Sequence, residues 1–175
     1  RIIRAFPPSV ALMAGTPSLP RRSAAEQARV ETLLQEMFEH RIRFNEVLGL
    51  RVESFDPANP RLVFAMRPEL VGHYLHGRLH GGVISAALDT VAGFAVTVAI
   101  AEKHAHEPAE QVGLRFGRVG TIDLRVDYQR QGIGHSFHAL GKVLRLGGRI
   151  ASVHMTLENE AGVVIATGAA AYVIS

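Results

Sequence analysis

Hydrophobic and polar positions change period twice along this chain. From residue 23 to 44 apolar residues recur at helical spacing (Val30, Leu33, Leu34, Met37, Ile42), which predicts a helix lying on the body of a domain. Its start is marked by Ser23-Ala24-Ala25-Glu26, an S-x-x-E pattern in which Ser and Glu each satisfy an N–H left free at a helix N-terminus. After Gly49 the period falls to two. Leu50, Val52 and Phe55, then Leu62, Phe64 and Met66, predict two strands turned at Asp56-Pro57-Ala58-Asn59-Pro60. Alternation returns at Thr121, where Ile122, Leu124, Val126 and Tyr128 interleave with Asp123, Arg125 and Asp127, the signature of one buried and one wet face. Three further strands are predicted over 137–146, 150–157 and 163–174, joined by hairpin turns at Gly147-Gly148-Arg149 and Asn159-Glu160-Ala161-Gly162.

Between these strand regions lies a stretch of another kind. Residues 83–101 are apolar at nearly every position and contain no proline, so they predict a long helix buried on all sides. Asp89 is its one acidic residue, and an unpartnered carboxylate there would cost several kcal/mol or take up a proton. Asp89 is therefore held by a specific network or exposed in a site. Gly81-Gly82 opens the helix, leaving backbone N–H groups without intrahelical acceptors and open to close approach by a ligand. Those donors could hold an oxyanion. Asp89 follows Gly81 by two turns, roughly 12 Å, too far for one chain to bring both to one carbonyl. Antiparallel helices in a symmetric dimer would bring Gly81 of one copy toward Asp89 of the other. The alternative is a tight loop at Gly81-Gly82 and a satisfied polar group at Asp89.

Helices of this length can cross a bilayer, but Asp89 would cost about 2.5–3.5 kcal/mol near its centre. The alternating strands also need a cover. An antiparallel sheet curled around the helix meets both demands and places the chain in the α+β class.

At 175 residues one domain suffices. Residues 1–22, with Pro7, Pro8, Pro17 and Pro20, read as a flexible tail, residues 23–47 as the N-terminal helix and 48–175 as the sheet-and-helix domain. The chain begins on Arg, and Met13 reads as the natural start with an upstream extension before it. There is no cysteine, which excludes disulfides, thiolate catalysis and Cys-ligated zinc. A net charge of +3 without clustered Arg/Lys does not make a nucleic-acid surface. His73, His76 and His80 crowd the segment before the helix, but their loop spacing with only Glu69 nearby reads as site lining rather than a metal centre. Residues 104–119 read as a linker.

Leu79-His80-Gly81-Gly82 with Asp89 nine positions after the histidine, followed by Gly120-Thr121-Ile122-Asp123-Leu124-Arg125-Val126-Asp127-Tyr128, resembles the hotdog-fold acyl-CoA thioesterases. The likeness is to the PaaI-like type (4-hydroxybenzoyl-CoA thioesterase superfamily), and within it to the YigI-type medium- and long-chain enzymes. It implies a sheet wrapped around one long central helix, and homodimers or homotetramers with active sites at the subunit interface. It implies hydrolysis of acyl-CoA in fatty acid metabolism, with coenzyme A as part of the substrate and no metal or other cofactor. By this resemblance the N–H at Gly81 polarises the thioester carbonyl, Asp89 acts as general base or nucleophile, Thr121 helps position water, and His80 orients the helix start. Where relatives often carry Asn or Gln, six or seven residues before that histidine, this chain has Tyr74 and His73, and His73 is the candidate donor. Gly82, Arg130 and Arg149 are the candidate coenzyme A contacts. A non-catalytic acyl-CoA binding or sensing protein and an enoyl-thioester hydratase or dehydratase are the alternatives. Neither a nucleic-acid nor a membrane partner is expected, and the cytoplasm is the default location.

Overall fold

The computed structural model describes residues 19–175. Helix α1 (Ala24–Glu36) starts as its sequence requires, with the Ser23 hydroxyl accepting the Glu26 N–H. It does not run unbroken to residue 44 or 47. It widens into a π-helical turn (Met37–Arg41), breaks at Ile42, and a separate α2 (Arg43–Leu48) follows. The break is made good from the side. Asn45, 1 % exposed, donates to the Phe38 carbonyl at 2.9 Å and accepts from Thr90 at 3.3 Å, so its polar groups are satisfied despite burial.

Strands β1 (Arg51–Ser54) and β2 (Arg61–Ala65) form the predicted hairpin. Its turn is set by Asp56, whose carboxylate accepts the Ala58 N–H. A short pair, β3 (Val71–His73) and β4 (Arg78–Leu79), then delivers the chain to α3 (Gly81–Lys103), the central helix. Strands β5 (Gly120–Tyr128), β6 (Ser136–Leu146), β7 (Ile150–Asn159) and β8 (Val164–Val173) complete one antiparallel sheet in the order β1-β2-β6-β7-β8-β5. The last four strands are thus not a simple succession of hairpins. β6, β7 and β8 follow one another, but β5 pairs with β8 at one edge and β6 with β2. The connection 129–135 crosses between them, tied by Gln129 and Arg130 N–H groups to the Ile165 carbonyl.

Helix α3 lies on this sheet, buried through Ile84, Leu88, Val91, Phe94 and Val98 against the inner faces of β6, β7 and β8. Strand β6 comes so close that a Cβ at Gly141 would sit 2.8 Å from the Val91 carbonyl oxygen. Burial is not uniform around the helix. Gly82, Ser85, Ala86, Asp89, Thr90 and Gly93 are exposed or half-buried, and their spacing traces one open stripe along the N-terminal half. The sequence expectation of burial on all sides holds only for the C-terminal half, because along the stripe the described residues cover α3 only in part, Asn45 reaching Thr90 and Thr121 and Tyr172 reaching Asp89.

Two segments read as irregular are ordered. Within 104–119 a short α4 (Ala109–Phe116) packs Val112 and Phe116 into the core beside α1. At the end of the supposed tail, Arg21 makes paired bonds to Glu102 at 2.5 and 2.7 Å, and the Arg22 guanidinium bonds the Ala101 and His104 carbonyls. Those carbonyls belong to the C-terminal end of α3, where a cation is favoured. Residues 1–18, with Met13, lie outside the described residues.

Candidate active site

Asp89 is held from the sheet side by two hydroxyls. Thr121 on β5 and Tyr172 on β8 are directly opposed in the antiparallel register, so their side chains leave the same face of the sheet. The Thr121 hydroxyl donates to Asp89 Oδ1 at 3.0 Å. The Tyr172 hydroxyl lies 2.6 Å from both Oδ1 and the backbone carbonyl of Asp89, a three-centre arrangement for its one proton. Burial, with the carboxylate beside it, pushes the Tyr172 phenol above its ordinary value, so it remains a donor. Oδ2 of Asp89 has no hydrogen-bond partner among the described residues. The carboxylate therefore has one oxygen fixed and one available.

Strand β5 is shaped to allow this. Between Thr121 and Asp123 the register slips by one residue, a bulge that leaves Ile122 unpaired and 54 % exposed and re-aims its neighbours. The Asp123 carboxylate accepts the Ala171 N–H across the slip. The predicted inward set is thereby divided: Leu124 and Val126 pack on the core, Ile122 faces out at the sheet edge, and Tyr128 reaches the start of α3.

Asp89, Thr121 and Tyr172 line a cavity of about 230 Å³ with Met37, Phe38, Asn45, Gly93 and Phe116. Gly81 belongs to a different cavity, of about 510 Å³, with His73, Arg78, His80, Tyr128 and Arg130. Here His80 is the N-cap of α3, its Nδ1 accepting the Gly82 N–H at 2.9 Å. A Cβ at Gly82 would strike that nitrogen at 2.9 Å, whereas one at Gly81 would meet only the Tyr128 ring at 3.5 Å. Glycine at 82 is thus explained inside the chain, and glycine at 81 is not. Tyr128 donates to the Gly81 carbonyl at 3.0 Å, while the Gly81 N–H has no acceptor among the described residues. With the Gly82 donor taken, Gly81 supplies the open one.

Of the residues singled out in the sequence, the structure groups His73, His80, Gly81 and Arg130 in one cavity and Asp89 and Thr121 in another. Exposed Arg130 bonds the Val164 carbonyl at 3.2 Å, and the His73 ring stacks on His76 at 4.8 Å. Arg149 joins neither group. It sits in the β6–β7 turn, where its carbonyl accepts the Ile174 N–H and neighbouring Gly148 lies near Ile100 and Lys103 at the far end of α3.

The sequence profile of the thioesterase superfamily matches residues 76–166, which span β4, α3 with Asp89, β5 with Thr121, and β6 and β7. The chain belongs to the thioesterase superfamily. It is 39 % identical over 150 residues to the medium/long-chain acyl-CoA thioesterase YigI of Salmonella typhimurium, covering 86 % of this chain and 96 % of that one. Against YigI of Escherichia coli strain K12 it is 38 % identical with the same coverage. A crystal structure from Shewanella oneidensis, described as related to the thioesterase superfamily, superposes with a TM-score of 0.80 at 35 % identity, over 85 % of this chain and 97 % of that one.

Several side chains of the candidate site in this thioesterase-superfamily chain carried no sequence signal. Tyr172 lies in the apolar run of β8, and only the register with Thr121 brings it to Asp89. Asn45 acts through a helix break. Arg78 lines the Gly81 cavity, its buried Nε without a partner among the described residues. Tyr172→Phe should lower kcat about 10-fold or more, since hydrogen bonds to charged groups contribute about 1.5–3 kcal/mol. Substrate KM should change little, and steady-state kinetics beside a circular-dichroism melt would separate that loss from misfolding.

One cluster has the composition of a metal site. His104, His106 and Glu107 bring ligand atoms within 4.8 Å of one another. Both Glu107 oxygens are already bonded by Arg115, at 2.5 and 2.8 Å, and that guanidinium opposes a second cation. The same pairing takes the Glu107 carboxyl from its ordinary 4.5 to about 2. A carboxyl whose folded value is depressed stabilises the fold above its unfolded value and loses that contribution as pH falls toward the folded one. Wild type should therefore lose melting temperature between pH 4.5 and 2 faster than Glu107→Gln does. Parallel acid slopes in the two proteins would contradict the pairing.

Proposed function

We propose that this chain hydrolyses acyl-CoA thioesters to free acid and coenzyme A, with medium- to long-chain fatty acyl groups as the preferred substrates. The substrate class follows the named activity of the YigI relatives. The observation that carries the chemistry is Asp89, a half-buried carboxylate with Oδ1 fixed by Thr121 and Tyr172 and Oδ2 free. A neutral thioester binder has no use for such a group.

In this reading Oδ2 takes a proton from water as it attacks the thioester carbonyl, or attacks directly to form a mixed anhydride that water then opens. The oxyanion is met by the Gly81 N–H at the N-terminus of α3. On the general-base route the C–S bond then breaks and the departing thiolate takes the proton that Asp89 held. On the anhydride route the C–S bond breaks as the anhydride forms, the thiolate takes a proton from solvent, and water splits the anhydride to free acid and the Asp89 carboxylate. Water and the substrate are the only reactants required. His80 acts on this step through the helix start it caps, and Thr121 and Tyr172 act by orienting the carboxylate. Arg130 and Arg78, in the Gly81 cavity, are the side chains of this chain best placed for the phosphates of coenzyme A.

Gly81 and Asp89 lie in separate cavities of one chain, so the complete centre needs a second copy whose Gly81 approaches this Asp89. The open stripe of Gly82, Ala86, Asp89 and Gly93 along α3 and the unpaired outer edge of β5 support such pairing, as a homodimer or as a tetramer of dimers.

Thiol release from a panel of acyl-CoAs, followed with a chromogenic disulfide reagent, tests the proposal, and with no cysteine in the chain the protein adds no background. Turnover of a defined range of chain lengths supports it. Tight acyl-CoA binding without thiol release would replace it with a binding protein, and hydration of a 2-enoyl thioester would replace it with a hydratase.

A further inference from the structure

The cavity holding Asp89 is too small for a long acyl group. At about 230 Å³ it falls below the ~300–1,000 Å³ usual for small-molecule pockets. Two of its walls, Met37 and Phe116, are also walls of a second and larger space, a groove of about 850 Å³ between α1 and α4. Elsewhere the groove is bounded by Ala28, Leu33, Gly113 and Leu114. Its charged residues Arg29, Glu36, Arg41 and Glu110 are all exposed at the rim, Arg29 paired with Glu26 at 2.8 Å and Arg41 with Glu36 at 3.8 Å. Small side chains keep it open. At Gly113 a Cβ would already be 3.3 Å from Leu33 Cδ1, so any larger residue would enter the space. Leu114, 78 % exposed on α4, leaves its rim apolar.

We infer that the distal part of the acyl chain passes from the Asp89 cavity between Met37 and Phe116 into the α1–α4 groove, and that this groove sets the chain-length preference. The inference rests on the acyl-CoA reading above. Its occupant is a saturated hydrocarbon tail, because the inner wall of the groove (Leu33, Met37, Phe116) is apolar and two of those residues also wall the cavity of the proposed catalytic carboxylate. The groove follows α1 backward from Met37 to Ala28, about 13 Å at ~1.5 Å per residue. Short acyl groups end before the Met37–Phe116 passage, and each further methylene buried beyond it strengthens binding of the long substrates. The π-helical turn at Met37–Arg41 has a function on this reading, since it places Met37 on the shared wall while the Phe38 ring packs on Phe94 of α3 at 5.1 Å.

Two exposed α1 residues lining the groove, Thr32 and Ala28, allow it to be filled from outside without disturbing the core. Thr32→Trp and Ala28→Trp would be compared with wild type on hexanoyl-, decanoyl- and palmitoyl-CoA, with oligomeric mass measured for each protein. Hexanoyl-CoA turnover should be unchanged in both. For longer chains kcat/KM should fall about fourfold for each methylene excluded, from ~0.8 kcal/mol per buried CH₂, so about 200- to 250-fold where four are displaced. Thr32 is nearer the passage, so its variant should lose decanoyl- and palmitoyl-CoA activity, while Ala28→Trp should affect palmitoyl-CoA alone.

An equal loss at every chain length, or none at any, overturns the inference while wild-type turnover leaves the thioesterase reading intact. Altered oligomeric mass with an unchanged length profile also overturns it and assigns the groove to a second copy of the chain. Absence of thiol release by the wild type from all three substrates overturns both readings together.

Discussion

Asp89→Ala should lower kcat on acyl-CoA by about 10²–10⁴-fold, the range for loss of a positioned general base, with the fold retained. Retention is what makes the result informative. Tyr172 is buried, and a hydroxyl left there without a partner would itself destabilise the protein, but it lies equally close to the Asp89 backbone carbonyl, which the substitution keeps. Thr121 is exposed and turns to water. Alanine is also the better helix former. A variant with a wild-type melting curve and no thiol release would assign the chemistry to Asp89. Near-normal kcat would remove it from the reaction and leave its two-hydroxyl network as a structural feature of α3. Asp89→Asn adds a control, since it keeps the shape and loses the basicity, and it should be as inactive as the alanine variant.

Gly81→Pro should cost about 10²–10³-fold in kcat, the loss found when one oxyanion donor is removed, with a much smaller change in KM. Proline is usually too disruptive a probe, but this position accepts it. Gly81 is the first residue of α3, the helical site that proline favours because its N–H bonds nothing within the helix. His80 before it has φ −66° and ψ 138°, the extended conformation a pre-proline residue requires. The nearest atom to a new Cβ would be Tyr128 Cε1 at 3.5 Å, an ordinary contact. Gly81→Ala keeps the N–H and should stay active, so the pair isolates the donor from the side chain. Equal activity of the two variants, measured by thiol release under saturating acyl-CoA, would place the oxyanion elsewhere.

These two residues were visible in the sequence because each breaks a local rule. A carboxylate inside an apolar helix and paired glycines at its start have no use in an isolated helix, and they stand at a spacing that one chain cannot bring to a single carbonyl. The strands were equally visible, since alternation reports which face is wet, and β1, β2 and β5–β8 fall where it predicted them. A helix of eight residues was not visible in 104–119, because its buried set, Ala109, Val112 and Phe116, is too short to establish a period and the segment contains Gly113. The break at Ile42 was hidden for a different reason. The residues 37–44 keep helical spacing, and only the demand of Asn45 for a buried partner, met by the Phe38 carbonyl, shows where the hydrogen-bond ladder opens.

By itself the sequence determined the central helix, its one carboxylate, its glycine start and the alternating strands that must cover it. These follow from local periodicity and from the cost of burying polar groups, which any fold of this chain has to meet. The tertiary structure alone decided which strands are neighbours, and with that the site. Tyr172 meets Asp89 because β8 pairs with β5, fifty-one residues earlier in the register at Thr121, and no periodicity within either strand encodes that pairing. Met37 and Phe116 likewise come to wall both the Asp89 cavity and the groove only because α4 packs beside α1. Cavities are formed by residues distant in sequence, so they become legible once packing has fixed which surfaces face each other.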